Sequence, residues 1–132
     1  RVYAGTAFTR QLMRYQHTRN RVRDRPKTAQ QDNIDNQILC LHKAMTKKLI
    51  ANQHYMPQVL QTIETRYKSG KMRYGAYLFW SSLMEHIHQP ELFMTTVLDN
   101  SPQTQKYRRQ TPFVGILTEQ ERQAALDQMT FT

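Results

Sequence analysis

The sequence predicts an all-α protein, an antiparallel bundle of three to four main helices followed by short C-terminal helices. Three observations predict it. Apolar residues recur at three- and four-residue spacing in one segment after another. Four glycines and five prolines punctuate those segments. Period-two alternation is absent, and no Asn-Gly or Asp-Gly pair is present to turn a hairpin. At 132 residues the chain is long enough for one domain with its own core. It reads as a single helical unit over 1–132, with a basic arm and helix at 1–27 and an extended strip with a terminal helix at 112–132.

The elements follow in order. Phe8, Leu12 and Tyr15 share a helical face, with Arg10, Arg14 and Arg19 between them. Pro26 ends that run, because proline lacks the amide donor and restricts the residue before it. Thr28-Ala29-Gln30-Gln31 has the form of a capping box, each polar side chain covering an orphan amide. Behind it, Ile34, Ile38, Leu41, Met45 and Leu49 form an apolar stripe expected to face the core, with Lys43, Lys47 and Lys48 off it near the C-terminus. Pro57 suits the first turn of a third helix with Leu60, Ile63 and Tyr67 on its inner face, and Gly70 suits its left-handed stop. A fourth helix is expected from Met72 to His88, with Met72, Ala76, Phe79, Trp80, Leu83 and Ile87 inward, at the centre of the bundle. Pro90 opens a shorter piece ending near Asp99, and Ser101-Pro102 caps another. Pro112 to Leu117 reads as an extended strip laid on the bundle. Thr118-Glu119-Gln120-Glu121 is a second capping box, starting a last helix with Ala125 and Leu126 inward.

Charge is segregated along the chain. The formal net charge is +9. Residues 1–27 hold Arg1, Arg10, Arg14, Arg19, Arg21, Arg23, Arg25 and Lys27 against the single acid Asp24, seven of the nine surplus charges. A second cluster, Arg66, Lys68, Lys71 and Arg73, surrounds Gly70, and a third, Lys106, Arg108 and Arg109, flanks Tyr107. Such a balance favours an anionic partner: nucleic acid, anionic lipid or an acidic protein. Arginine dominates the first segment, and its fork binds phosphate or carboxylate bidentately. Tyr15, His17 and Asn20 interleave with it, offering flat surfaces to exposed bases.

Candidate chemistry is sparse. In Glu85-His86-x-His88 the two histidines stand two residues apart and point about 200° apart on a helix, which does not suit one metal. Cys40 and His42 have the same spacing, so they do not form a nucleophile–base pair with each other. No G-x-S-x-G, P-loop or G-x-G-x-x-G is present, and four glycines leave little material for a phosphate-cradling loop. A catalytic site, a metal site and a cofactor are therefore not expected. One cysteine excludes an internal disulfide framework and accommodates a reducing, intracellular compartment. No apolar run approaches the roughly 18 residues of a membrane span. The chain opens on Arg1 rather than methionine, which leaves room for a leader ahead of it, and no signal-peptide pattern is visible.

Several stretches carry a resemblance. Phe8-Thr9-Arg10-Gln11-Leu12-Met13-Arg14-Tyr15 resembles the first helix of the LYR-motif proteins, small basic helical bundles of the mitochondrial matrix. The likeness continues through Ile38 to Leu49 and Tyr74-Gly75-Ala76-Tyr77-Leu78. Phe113-Val114-Gly115 is similar to the tail of the branch that assists ATP synthase assembly. Together these cover most of residues 6 to 117. The Leu-Tyr-Arg tripeptide itself is absent; Leu12, Arg14 and Tyr15 stand in its neighbourhood. The resemblance implies a non-enzymatic assembly or accessory subunit in the mitochondrial matrix, paired with acylated acyl carrier protein, with Arg10 and Arg14 meeting the acidic carrier.

The expectation is then a helical adaptor docking on a larger complex through a basic N-terminal face made by Arg10, Arg14, Arg19, Arg21, Arg23, Arg25 and Lys27. Arg66, Lys68, Lys71, Arg73, Lys106, Arg108 and Arg109 form a secondary basic patch. The alternative is direct RNA or DNA binding, as in a ribosome-associated protein. The lean hydrophobic content, 39%, suits a bundle that leans on neighbours.

Overall fold

The computed structural model describes residues 27–130, and over them the fold is all-α. Six helices follow one another: α1 (Ala29–Ala51), α2 (Met56–Lys68), α3 (Tyr74–Met84), α4 (Pro90–Val97), α5 (Pro102–Arg109) and α6 (Glu119–Thr130). A 3-10 turn, Gln53–Tyr55, joins α1 to α2. No strand occurs among the described residues. The expected first helix around Phe8, Leu12 and Tyr15 lies outside them, as do Arg10, Arg14, Arg19, Arg21, Arg23 and Arg25. Among the described residues no helix is long and apolar enough to cross a membrane.

Helix ends sit where local chemistry directs them. Thr28 Oγ1 accepts from the Gln31 amide at 3.1 Å while Gln31 Oε1 accepts from the Thr28 amide at 3.4 Å, completing the first capping box. Thr118 and Glu121 repeat it at α6, at 3.1 and 2.9 Å. Ser101 Oγ accepts from the Thr104 amide at 3.2 Å and starts α5. Gly70, at φ +79°, reverses the chain after α2, and the Lys71 amide bonds back to the Arg66 carbonyl at 2.8 Å. That 6→1 bond is the closing bond of a Schellman turn.

Leu60, expected on the inner face of α2, is 42% exposed. The helix expected to run from Met72 to His88 is shorter, Tyr74–Met84. Beyond Met84 the backbone tightens into 3-10-type bonds, His86 to Leu83 at 3.0 Å and Gln89 to His86 at 2.9 Å. Pro90 holds Gln89 away from the helical region (φ −116°, ψ 78°), so one helix cannot run through. The apolar stripe of α1 reaches the core from Leu41 onward, through Met45 and Leu49, but not at Ile34. Asp35, His42, Met45, Thr46 and Leu49 are buried, whereas Ile34 is 47% exposed. In the N-terminal half of α1 the buried side chain is the Asp35 carboxylate, while Ile38 is half-buried.

Helix α1 packs against α4, α5 and α6; α2 packs against α3, and α3 against α4. Trp80 of α3 is fully buried and marks the centre. Phe113, from the extended strip after α5, presses on it edge-on at 5.2 Å and stacks parallel to Phe93 at 6.4 Å. Phe113 and Ile116 are buried and Val114 is half exposed, so the strip buries two anchors and shows a turn to solvent. Gly115 takes φ +73° between them, which an L side chain rarely adopts.

Candidate functional site

The basic residues expected to bind a partner separate into those the fold consumes and those it leaves outward. Lys27 and Arg109 are consumed by one carboxylate. Arg109 donates through Nε to Asp35 Oδ1 at 2.9 Å and through its terminal nitrogen to Oδ2 at 2.7 Å. Lys27 Nζ approaches Oδ2 at 2.5 Å and also donates to Gln105 Oε1. Asp35 is only 6% exposed. The Arg109 hydrogen bonds, joined by Lys27, hold its carboxyl down at about 2 against the opposing pull of burial.

Arg108 is not a surface residue. It is 1% exposed and donates to the carbonyls of Val97 and Asp99 at 2.8 and 2.6 Å, with Asn100 Oδ1 at 3.3 Å. Its guanidinium satisfies orphan carbonyls at the end of α4. Consecutive residues on a helix point about 100° apart, so Arg108 enters the interior while Arg109 reaches α1.

The remaining cations meet across a cleft. Arg66 from the end of α2, Lys71 and Arg73 from the following turn, and Lys106 from α5 line a half-open cleft of about 760 Å³. These come from two stretches of chain that the sequence showed as separate clusters. Gln103 and Gln110 add amides, and Gly70, Met72, Gly75, Ala76, Trp80 and Tyr107 also line it; among the described residues no carboxylate does. Lys68 is exposed on the same turn but does not line the cleft. Among the described residues, Arg66, Lys71, Arg73 and Lys106 form no ion pair with a carboxylate.

Each part of the cleft has a local cause. Arg66 donates to the carbonyls of Gln110 and Thr111 at 3.0 and 2.8 Å, tying α2 to the end of α5 without losing its charge. Tyr107 Oη accepts from Gln103 at 2.7 Å. A Cβ at Gly75 would come within 3.2 Å of Tyr107 Oη, so the glycine, which lies inside α3, lets the phenol approach that helix. Burial raises the Tyr107 phenol and keeps it neutral. Trp80 Nε1 is buried without a hydrogen-bond partner among the described residues. Arg73 is the N-cap of α3 and makes no capping hydrogen bond. A cation at that end opposes the helix dipole, so its placement is not explained by helix stability.

Sequence reasoning missed an aromatic shelf next to this cleft. Tyr67 was expected inward, yet it is 37% exposed and stacks on Tyr77 at 4.0 Å with an 18° interplanar angle. Tyr77 Oη in turn donates to Glu64 at 2.7 Å. Tyr74, between the cleft residues Arg73 and Gly75, is 61% exposed and lies 6.3 Å from the Tyr67 ring. Tyr67, Tyr74 and Tyr77 stand seven and three residues apart, so the only signal available was helical spacing across a turn.

His86 is buried, with Nδ1 2.9 Å from the Ser82 carbonyl, and His88 is exposed. His42 is buried and donates through Nδ1–H to the Ile38 carbonyl at 2.7 Å; burial, helped by the Arg108 charge, lowers it to about 4. Cys40 is partly buried, and its thiol donates to the Ala125 carbonyl at 3.0 Å. Among the described residues no three His, Cys, Asp or Glu side chains gather as a metal site would require.

In comparisons with known proteins, no family model, no curated protein and no solved structure matches the chain.

Proposed function

We propose that this protein is a non-enzymatic helical adaptor or accessory subunit that docks on a larger assembly through its positive surface. One observation carries the reading: the fold gathers Arg66, Lys71, Arg73 and Lys106 around one cleft and, among the described residues, lines it with no carboxylate. Like charges held together lower stability unless something anionic covers them, so the arrangement serves a partner rather than the fold. Arg10, Arg14, Arg19, Arg21, Arg23 and Arg25, which lie outside the described residues, add to the same surplus in the sequence. The resemblance of residues 6 to 117 to LYR-motif proteins supports an assembly role in the mitochondrial matrix. It names an acidic protein such as acyl carrier protein as the partner of Arg10 and Arg14. Lys27, Arg108 and Arg109 are withdrawn from the docking surface, since the fold itself uses them.

Cross-linking and native co-purification test this reading. The wild-type chain is expected in a high-mass fraction, and the triple variant Lys71→Glu, Arg73→Glu, Lys106→Glu as a free chain with a melting temperature no lower than that of the isolated wild type. A wild-type chain recovered only as a free monomer would sink the proposal.

A second reading, direct binding of RNA or DNA, is favoured by the exposed Tyr74 and Tyr67 rings beside the cations. It bears on what the cleft takes.

A further inference from the structure

We infer that the cleft between the α2–α3 turn and α5 binds single-stranded nucleic acid, with backbone phosphates on Arg66, Lys71, Arg73 and Lys106 and a base stacked on Tyr74. The inference rests on the docking role proposed for the cleft and names the chemistry of what docks there.

Charge complementarity comes first. Four cations face one cleft, and among the described residues none of them is paired with an acid. Two are arginines, whose forked donors match phosphate oxygens. Arg66 is pre-positioned by the two carbonyls it holds at 3.0 and 2.8 Å, so less side-chain entropy is lost on binding.

Charge alone does not separate nucleic acid from an acidic protein; the aromatic rings do. Tyr74 is 61% exposed at the mouth of α3, flanked in sequence by two residues of the cleft wall. Leaving that much ring in water forgoes the gain of burying it. The neighbouring ring of Tyr67 is braced by the 4.0 Å stack on Tyr77, which is itself held by Glu64. An exposed ring beside exposed cations, with a braced ring 6.3 Å behind it, is what an unpaired base stacks on, and an acidic peptide has no comparable use for it. A duplex, with its bases already stacked, would meet only the cations.

Fluorescence anisotropy on the full chain tests this with two probes of matched length, a 12-nucleotide oligouridylate and a 12-residue glutamate peptide. The oligouridylate is expected to bind more tightly than the peptide at the same salt. Tyr74→Ala is expected to weaken it by about tenfold, within the range for losing one stacked base, and Tyr74→Phe to restore it. Neither should change the salt slope or peptide binding. The triple variant Lys71→Gln, Arg73→Gln, Lys106→Gln should lower the logarithmic salt slope by about 2, at roughly 0.7 per phosphate on a single strand. All four substituted side chains are exposed, so the variants should fold.

The failures are distinguishable. If the glutamate peptide binds as tightly as the oligouridylate, and the triple variant abolishes it, the nucleic-acid inference falls and the docking reading stands. Tyr74→Ala binding within twofold of wild type also overturns the inference. If the triple variant leaves both probes unchanged, the cleft is not a docking surface and both readings fall.

Discussion

Replacing Asp35 by asparagine keeps the shape of the side chain and removes the charge that two cations share. The carboxyl sits near 2 in the folded protein, against 3.8 for the ordinary group. At 1.36 kcal/mol per unit, that difference is worth at most about 2.5 kcal/mol of stability at neutral pH. The partners are partly solvated, Arg109 at 43% and Lys27 at 27% exposure, so water screens part of it. Against that reduction, the variant leaves two cations adjacent with no counterion. We expect a net loss of about 2 kcal/mol, a fall in Tm of roughly 6–10 °C for a chain of this size. The depressed carboxyl fixes the sign with pH. Its contribution is fully present above the unfolded value near 4 and is lost as pH falls toward 2. Thermal melts followed by circular dichroism at pH 7 and pH 2 should therefore show a wide gap that closes. A variant that melts within about 2 °C of wild type at pH 7, or a gap that persists at pH 2, would refute the reasoning.

The other expectations concern the core. His42 is neutral when folded, at about 4, and titrates near 6.5 when unfolded. The unfolded chain thus binds the extra proton between those values, and stability should fall as pH drops from about 6.5 to 4, by roughly 2–3 kcal/mol. In His42→Gln that part of the pH dependence of urea denaturation should disappear; an unchanged profile would discard the assignment. Phe113→Ala should cost about 3–5 kcal/mol, because the buried ring fills the space between Trp80 and Phe93. Val114→Ala next to it, half exposed, should stay within about 0.5 kcal/mol, and equal losses at both positions would contradict the anchoring of the strip.

Much of the fold was legible because its punctuation is local. Thr28 with Gln31, Thr118 with Glu121, Ser101 before Pro102, and Gly70 each act within a few residues of themselves, and each sits at the boundary read for it. The face of α1 was not legible in the same way. Asp35 faces inward only because Arg109, 74 residues further on, meets it there. Hydrophobic spacing has no means of registering a buried ion pair. The candidate site lies between these cases. Both basic clusters stood out as charge runs, but their meeting across one cleft is tertiary. So is the loss of Arg108 to the interior, since Arg108 and Arg109 look alike in a list of charges. The shelf was missed because Tyr67 looks like a core residue by spacing, and its approach to Tyr74 across the Gly70 turn is tertiary.

Helix α5 is barely two turns long, yet three of its last four residues answer to different demands. Lys106 stands exposed at the water's edge, in the wall of the cleft. Position 108 requires several donors in one plane, because two carbonyls and an amide oxygen converge on it; a single ammonium on a flexible stem would leave some of them bare. Position 109 needs a fork to grip both oxygens of one carboxylate. A one-residue insertion early in this helix would turn every side chain by about 100° and offer each demand the wrong neighbour. The short helix therefore fixes, in one rigid piece, the registry of the interior with that of the outer cleft.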